Sequence, residues 1–136
     1  MGLIFDMSVF VSWELSSRAL DFSLWANHGE AAISAITASE LLVGVHRADT
    51  PARRESRSDF VEEILVRVPI LNFTAEVARL HAKLFALLSK QGQMIGAHDI
   101  IIAATAIYHQ HAILTLNVSD FQRVPGLNVA DFSQEK

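Results

Sequence analysis

A single-domain α/β fold is predicted for this 136-residue chain: a doubly wound, mainly parallel five-stranded sheet with helices on both faces. Three observations predict it. Short apolar segments of strand length alternate with longer segments whose apolar residues recur at helical spacing. An almost wholly apolar helix over Ile100–Ile107 is followed directly by an apolar strand, as expected for elements buried on both sides. The length also suffices for one sizeable hydrophobic core.

The N-terminal half begins with an apolar strand that ends at Asp6. Ser8 is placed to cap the helix that follows, and Thr37 opens a later one. The stop signal Asn27-His28-Gly29 ends a helix with Leu20, Leu24 and Trp25 on one face. The predicted elements are a strand at Gly2–Phe5, helices at Val9–Leu15 and from Ser16 or Ser17 to Asn27, a strand at Ala31–Ala35 and a helix at Ala38–Arg47.

In the C-terminal half, Pro69 places its strand at a sheet edge or at a strand start. Thr74 caps a long helix that Gly92 ends, and Asp99 opens the apolar helix. The predicted elements are helices at about Ala52–Val66, from Thr74 to about Lys90 and over Ile100–Ile107, with strands at Val68–Phe73, Ala112–Leu116 and Leu127–Ala130. Residues 1–132 form the domain, and residues 133–136 form a frayed tail.

Composition narrows the class of protein. Apolar residues make up 51% of the chain, so we expect part of its surface to be buried in a homodimer or partner, with Phe10, Trp13, Phe22 and Trp25 contributing. No apolar run reaches the ~18 residues that span a bilayer, and no secretory signal is visible, so a cytoplasmic protein without membrane contact is expected. The absence of cysteine excludes disulfides and zinc–thiolate sites.

The net charge of −4 argues against a large nucleic-acid surface. It leaves open an enzyme that holds phosphates through metal ions on carboxylates. Four acids occupy helix entrances: Asp6, Glu40, Asp99 and Asp120. Each could simply be a cap, and Thr37 with Glu40 matches a capping box. All four recur together, however, and a parallel sheet would set the strands before Asp6 and Asp120 side by side. The repulsion of gathered carboxylates calls for a cation, with Mg²⁺ or Mn²⁺ suited to oxygen ligands.

Four blocks together resemble the PIN-domain ribonucleases, specifically the VapC-type toxins of bacterial toxin–antitoxin pairs. They are LIFDMSVFV at Leu3–Val11, ISAITASELLVGV at Ile33–Val45, GAHDIIIAATAIYH at Gly96–His109 and ILTLNVSDFQRVPGL at Ile113–Leu127. The resemblance implies a PIN-like doubly wound sheet, RNA cleavage with Mg²⁺ or Mn²⁺, homodimers and silencing by a small antitoxin protein. It also implies metal ligands at Asp6, Glu40, Asp99 and within residues 117–120, with Ser8 and Thr115 as supporting hydroxyls.

Two positions depart from the pattern of that family. Met7 replaces a usual Thr or Ser, and Asn117 stands where many relatives have Asp. The fourth charge then comes from Asp120 or is absent, so the sequence leaves open whether Asn117 or Asp120 completes the site and whether one or two metal ions bind.

Basic residues offer a second set of candidates. Arg47, Arg53, Arg54 and Arg57 could hold RNA phosphates, or they could form a solvated helix start paired with nearby acids. His109 and His111 are expected to be solvated at a helix end, and His98 to lie in a loop beside Asp99.

The sequence therefore favours a Mg²⁺-dependent endoribonuclease in which a metal-activated water attacks RNA. The expected partner is an antitoxin whose basic side chain enters the pocket of Asp6 and Asp99. The main rival is a PIN-like module that binds RNA or a partner without cutting. A phosphatase or phosphoacceptor domain is a weaker rival, because the sequence Asp6-Met7-Ser8 lacks its usual D-x-D.

Overall fold

The computed structural model describes residues 2–16 and 20–134, which form a five-stranded sheet with helices on both faces. The strands are β1 Gly2–Phe5, β2 Glu30–Ser34, β3 Ile70–Leu71, β4 Ala112–Thr115 and β5 Val129–Asp131. The α-helices are α1 Met7–Ser16, α2 Ala35–His46, α3 Pro51–Arg67, α4 Ala75–Lys90, α5 Ala97–Tyr108 and α6 Val118–Phe121. Two 3-10 helices span Phe22–His28 and Phe132–Gln134.

The strand order is β3-β2-β1-β4-β5, and every one of these pairings is parallel. The chain therefore builds the sheet outward from β1 in one direction and then returns to add β4 and β5 on the other side. The order reverses between β1 and β4, where an open α/β sheet forms a crevice at the carboxyl ends of its strands. The predicted fold class is confirmed, and β3 with its preceding Pro69 does lie at an edge.

Alternate residues of β1 contact two separate cores, because successive side chains of a strand point to opposite faces. Leu3 and Phe5 pack with apolar residues of α1, α2 and α3. Ile4 lies on the other face, in a core built with α4 and α5. The sheet is thus covered on both sides, and its central strand is wholly buried.

The aromatic residues of the N-terminal segment pack against one another inside the protomer. The rings of Trp13 and Trp25 lie 5.2 Å apart, and Phe5 contacts Phe10, Trp13 and Phe22. Phe10, Trp13 and Trp25 expose 0%, 4% and 2% of their surface. Their predicted role at a homodimer interface is therefore wrong, because the intramolecular cluster already removes them from water.

The predicted second helix differs most from the structure. A short 3-10 helix begins at Phe22, after Asp21 accepts a hydrogen bond from the Ser23 N–H at 3.1 Å. Trp25 has non-helical backbone angles (φ −118°, ψ 16°), which break the regular helix that the apolar spacing predicted. Positions 17–19 of the prediction lie outside the described residues.

The start of α2 also differs from the prediction. Ser34, rather than Thr37, caps the helix, since its Oγ accepts a hydrogen bond from the Ile36 N–H at 3.2 Å. Thr37 is fully buried within the first turn. The capping box of Thr37 with Glu40 is therefore wrong, and Glu40 lies in the second turn of α2, where its carboxylate is not needed as a cap.

Two short segments near the C-terminus are helical rather than irregular. Residues Val118–Phe121 form α6, and Phe132–Gln134 form a 3-10 turn in which Asp131 accepts a hydrogen bond from the Ser133 N–H at 3.0 Å. Across residues 2–16 and 20–134, no helix combines the length and apolar character that crossing a membrane requires.

Candidate active site

Asp6 follows β1 directly and is the most firmly held acid of the site. Its Oδ1 accepts a hydrogen bond from the Met7 N–H at 2.8 Å, and its Oδ2 accepts bonds from the hydroxyls of Ser8 and Thr115, each at 2.8 Å. Asp6 is 7% exposed, and hydrogen bonds of this kind stabilise a buried carboxylate. Ser8 lies within α1 and orients Asp6. The prediction that Ser8 caps this helix is therefore wrong.

The hydroxyls of Ser8 and Thr115 connect Asp6 to the end of β4. Ser8 Oγ accepts a hydrogen bond from the Leu116 N–H at 3.1 Å, and Thr115 Oγ1 accepts one from the Asn117 N–H at 2.8 Å. Each hydroxyl thus donates to the carboxylate and accepts from the backbone. Both hydroxyls therefore contact the Asp6 carboxylate, and their supporting role in a metal site stays a prediction.

Asp120 lies in α6 and is held by the neighbouring amide. Asn117 Nδ2 donates to Asp120 Oδ2 at 3.1 Å. Asn117 thus orients an acid one helical turn later in the chain. A continuous hydrogen-bonded path consequently links Asp6, Thr115, Asn117 and Asp120.

Glu40 and Asp99 come from helices on opposite faces of the sheet. Glu40 Oε2 lies 3.1 Å from Nδ1 of His98, the residue before Asp99, and this contact connects α2 to α5. His98 belongs to the first turn of α5 and not to a loop, because α5 begins at Ala97. A shallow depression of about 330 Å³ is lined by these three residues together with Gly96 and Ala97.

The electrostatic environment of Asp99 includes the charges of the other three predicted acids. The pKa of Asp99 is raised from 3.8 to about 6, chiefly by burial and then by the negative charges of Asp6, Glu40 and Asp120, while His98 lowers it. Three acids distant in sequence therefore act on the fourth. The sequence-predicted cluster of Asp6, Glu40, Asp99 and Asp120 is brought together at the carboxyl ends of β1 and β4.

The donor set of this cluster fits a hard divalent cation. Its side chains offer carboxylate oxygens, which Mg²⁺ and Mn²⁺ prefer. Within the described part of the chain, no three acidic or histidine side chains already form a coordination shell. Mg²⁺ keeps several of its waters and commonly binds through only one or two carboxylates, so a fit does not require three side chains in one shell.

The four candidate RNA-binding arginines lie along the end of α2 and the start of α3. Arg53 pairs with Asp49 at 2.9 Å, Arg54 donates to the Ala48 carbonyl at 3.1 Å, and Arg57 pairs with Glu14 at 3.2 Å. Arg47 is exposed just after α2. Three of the four thus have intramolecular partners, and Arg57 is the one whose position borders the acidic site.

An apolar groove that sequence analysis did not find lies between α1, α2 and α3. It has a volume of about 220 Å³, and Arg57 and Glu14 lie on its rim. Glu40 lines both this groove and the depression beside Asp99, so the two are adjacent. The groove is lined further by Met7, Phe10, Val11, Leu15, Leu41, Gly44, Phe60 and Val61. The signal in the sequence was the apolar character of Val11 and Leu15 in α1. The structure leaves both side chains exposed.

The histidines after α5 lie far from this site. The rings of His109 and His111 are 6.0 Å apart, and His111 lies beside Gly2, at the amino end of β1. His111 is half-buried and its Nδ1 is removed from water, so the solvated position predicted for it is wrong, and this burial lowers its pKa.

Comparison with known proteins places these features in a family. The PIN domain family model matches residues 3–127. Ribonuclease VapC1 of Rickettsia felis is 39% identical over 135 residues, which cover 99% of this chain and 99% of the relative. The tRNA(fMet)-specific endonuclease VapC of Shigella flexneri is 32% identical over 107 residues, or 79% of each chain.

Solved structures agree with the sequence relatives. VapBC2 from Rickettsia felis, crystallised with a DNA fragment from its promoter, matches with a TM-score of 0.81 and 25% identity over 97% of this chain and 99% of that chain. VapBC-1 from nontypeable Haemophilus influenzae matches with a TM-score of 0.79 and 25% identity over 98% of this chain and 99% of that chain. The chain therefore belongs to the PIN domain family and, within it, to the VapC-type ribonuclease toxins.

Proposed function

We propose that this chain is an endoribonuclease that depends on Mg²⁺ or Mn²⁺ and acts as the toxin of a toxin–antitoxin pair. The observation that carries the proposal is the convergence of four acids on one crevice. Asp6 follows β1, Glu40 lies on α2, Asp99 on α5 and Asp120 on α6, and three of them raise the pKa of the fourth. Acids kept together against their repulsion call for a cation.

Different residues of the chain would have different roles in the reaction. Asp6 and Asp99 would hold the cation, and Glu40 and Asp120 would complete the negative surface around it. When bound, a divalent cation supplies neutralisation of the charge that develops on the phosphoryl oxygens and favours ionisation of a water nucleophile. Ser8 and Thr115 keep Asp6 oriented, since both donate to the same oxygen.

A carboxylate is the better general base than a histidine in this site. Because Asp99 would hold the cation, a neighbouring carboxylate of the cluster would accept the proton instead. His98, the histidine beside it, already contacts Glu40. His109 and His111 lie at the amino end of the sheet, so neither can reach the reacting phosphate.

RNA is the proposed substrate, and transfer RNA is the first RNA to test. A relative 32% identical to this chain is named a tRNA(fMet)-specific endonuclease. Arg57 borders the site, and the exposed Arg47, Arg53 and Arg54 extend a basic surface along α3 that suits phosphates.

The proposed partner is a small antitoxin whose Arg or Lys enters the pocket of Asp6 and Asp99. A basic side chain there would replace the cation and form charge-assisted hydrogen bonds with the carboxylates. The neighbouring apolar groove would receive apolar residues of the same partner, since Glu40 joins the groove to the acids. The complex should therefore cut RNA more slowly than the free chain at equal Mg²⁺ concentration, and equal rates would contradict this partner.

Sequencing of RNA ends after brief expression tests the nuclease. The wild-type chain should create new ends, whereas Asp6→Ala and the isosteric Asp6→Asn should create none. The purified wild type should cut the same RNA with Mg²⁺ and not with chelator. RNA that is bound but left intact in Mg²⁺ would instead support the alternative of a PIN-like binding module, which the departures at Met7 and Asn117 favour.

A further inference from the structure

His98 contacts the carboxylate of Glu40 across the boundary between two helices. Its Nδ1 lies 3.1 Å from Glu40 Oε2, although the two residues are 58 positions apart. The side chains are 53% and 25% exposed, so this is a contact at the mouth of the site rather than a buried ion pair. Within the described ranges, His98 supplies the one hydrogen bond that Glu40 accepts through its side chain.

The direction of this hydrogen bond follows from the chemistry of the two groups. An ionised carboxylate only accepts hydrogen bonds, so Nδ1 of His98 must carry the hydrogen. The ring is thereby fixed with Nδ1 toward Glu40, whether or not Nε2 is also protonated. The contact therefore orients both side chains.

The contact also opposes a repulsion inside the acidic cluster. Glu40 and Asp99 carry like charges, and Glu40 is among the groups that destabilise ionised Asp99. A glutamate side chain has several rotatable bonds and would otherwise turn toward water. His98 and Asp99 are neighbours in the first turn of α5. A Glu40 carboxylate that is hydrogen-bonded to His98 is therefore held on the side of the cluster.

We propose that His98 is a positioning residue, which keeps the Glu40 carboxylate beside Asp99 so that the cluster binds its divalent cation more tightly. This inference rests on the proposed function. Groups that orient metal ligands through a hydrogen bond commonly contribute 10–100-fold to metal affinity. For a pair as exposed as this one, we expect about tenfold.

Four variants separate positioning from other roles. His98→Ala removes the donor, whereas His98→Asn retains an amide N–H close to the position of the imidazole Nδ1–H. His46→Ala removes an exposed histidine at the other end of α2 and serves as the matched control. Glu40→Gln removes the charge that His98 is proposed to hold.

Mn²⁺ binding in the absence of RNA is the decisive measurement. Folded protein is titrated with Mn²⁺, and electron paramagnetic resonance gives the concentration of Mn²⁺ that remains unbound. His98→Ala should raise the Mn²⁺ dissociation constant about tenfold. His98→Asn should remain within about twofold of the wild type, because it keeps the donor. His46→Ala should match the wild type. In the Glu40→Gln background, His98→Ala should have little further effect, since its action passes through Glu40.

RNA cleavage provides a second readout. The His98→Ala variant should lose activity at low Mn²⁺ and regain it at saturating Mn²⁺, which a lost RNA contact would not allow. Unchanged Mn²⁺ affinity in His98→Ala, or an additive effect in the Glu40→Gln background, would overturn the positioning role while leaving the nuclease intact. A wild type that binds no divalent cation would overturn both proposals together.

Discussion

At the scale of single residues, two acids of one site have opposite surroundings. Asp6 accepts hydrogen bonds from a backbone N–H and two hydroxyls, which fix the orientation of its carboxylate. Asp99 is desolvated and repelled by three acids, so its pKa rises to about 6. The fold thus orients one carboxylate of the site and disfavours the charge of another.

Replacement of Asp99 by Asn tests whether its charge belongs to a repelling cluster. Without metal, Asp99→Asn should melt at or above the temperature of the wild type, because repulsion is relieved. The expected gain in the free energy of unfolding is on the order of 1 kcal/mol. With millimolar Mg²⁺, the order should shift toward the wild type, which gains more from binding. Thermal melts in Mg²⁺ and in chelator measure both effects. An identical Mg²⁺ shift in the two proteins would remove Asp99 from the metal site.

The raised pKa of Asp99 also predicts the sign of a pH effect. The folded state binds a proton at about pH 6, whereas the unfolded chain does so near 3.8. The favourable contribution of this proton is therefore complete below 3.8 and is lost as pH rises through 6. In chelator, the wild type should gain stability relative to Asp99→Asn as pH falls from 7 to about 5. Parallel pH profiles for the two proteins would contradict the shift.

At the scale of elements, the predicted strands and long helices are present with different bounds: the predicted strand Val68–Phe73 is only Ile70–Leu71, and Leu127–Ala130 is instead Val129–Asp131. Thr74 caps α4 as predicted, and α3 starts one residue from its predicted position, at Pro51. The errors occur where a tertiary contact overrides a local pattern. Trp25 leaves helical geometry to pack on Trp13, and Ser34 takes the cap that Thr37 was expected to form.

Two glycines in different elements should respond oppositely to alanine. A Cβ at Gly2 in β1 would lie 2.5 Å from the Glu30 carbonyl oxygen and 3.0 Å from the His111 ring, whereas one at Gly44 in α2 would meet Arg57 at an ordinary 3.6 Å. Gly2→Ala should destabilise the fold by about 1–3 kcal/mol, as overpacking does. Gly44→Ala should stabilise it by about 0.5–1 kcal/mol through helix propensity. Denaturant unfolding measures both, and a stable Gly2→Ala protein would show that β1 can shift.

At the scale of the whole molecule, topology determines which site residues sequence could predict. Asp6, Asp99 and Asp120 could be named as candidates because each stands near an element boundary, and parallel strands bring such boundaries to one edge. Glu40 lies in the second turn of α2, so its place in the prediction rests on the family resemblance rather than on a boundary. The link between His98 and Glu40 was not predictable, because it depends on how α2 and α5 approach each other from opposite faces. The apolar groove likewise exists only after three helices are packed.

A homodimer remains a prediction, and the structure changes which residues could form it. Phe10, Trp13 and Trp25 are buried in the protomer, so a dimer must use other apolar residues. Phe73 and Phe85, which are 48% and 46% exposed and both contact His81, are among those still exposed. Light scattering at micromolar concentration should give the mass of two chains, and a mass of 15.0 kDa would contradict the dimer.

The hydrogen bond between Asp6 and Thr115 joins residues 109 positions apart. During translation, a nascent chain that has reached residue 111 contains Asp6, Glu40 and Asp99, but neither Thr115 nor the strand that carries it. At that stage β1 is present but β4, which forms the other side of the crevice, is not. The proposed nuclease therefore matures late, and a ribosome making this chain is not exposed to its activity until β4 has emerged and paired with β1.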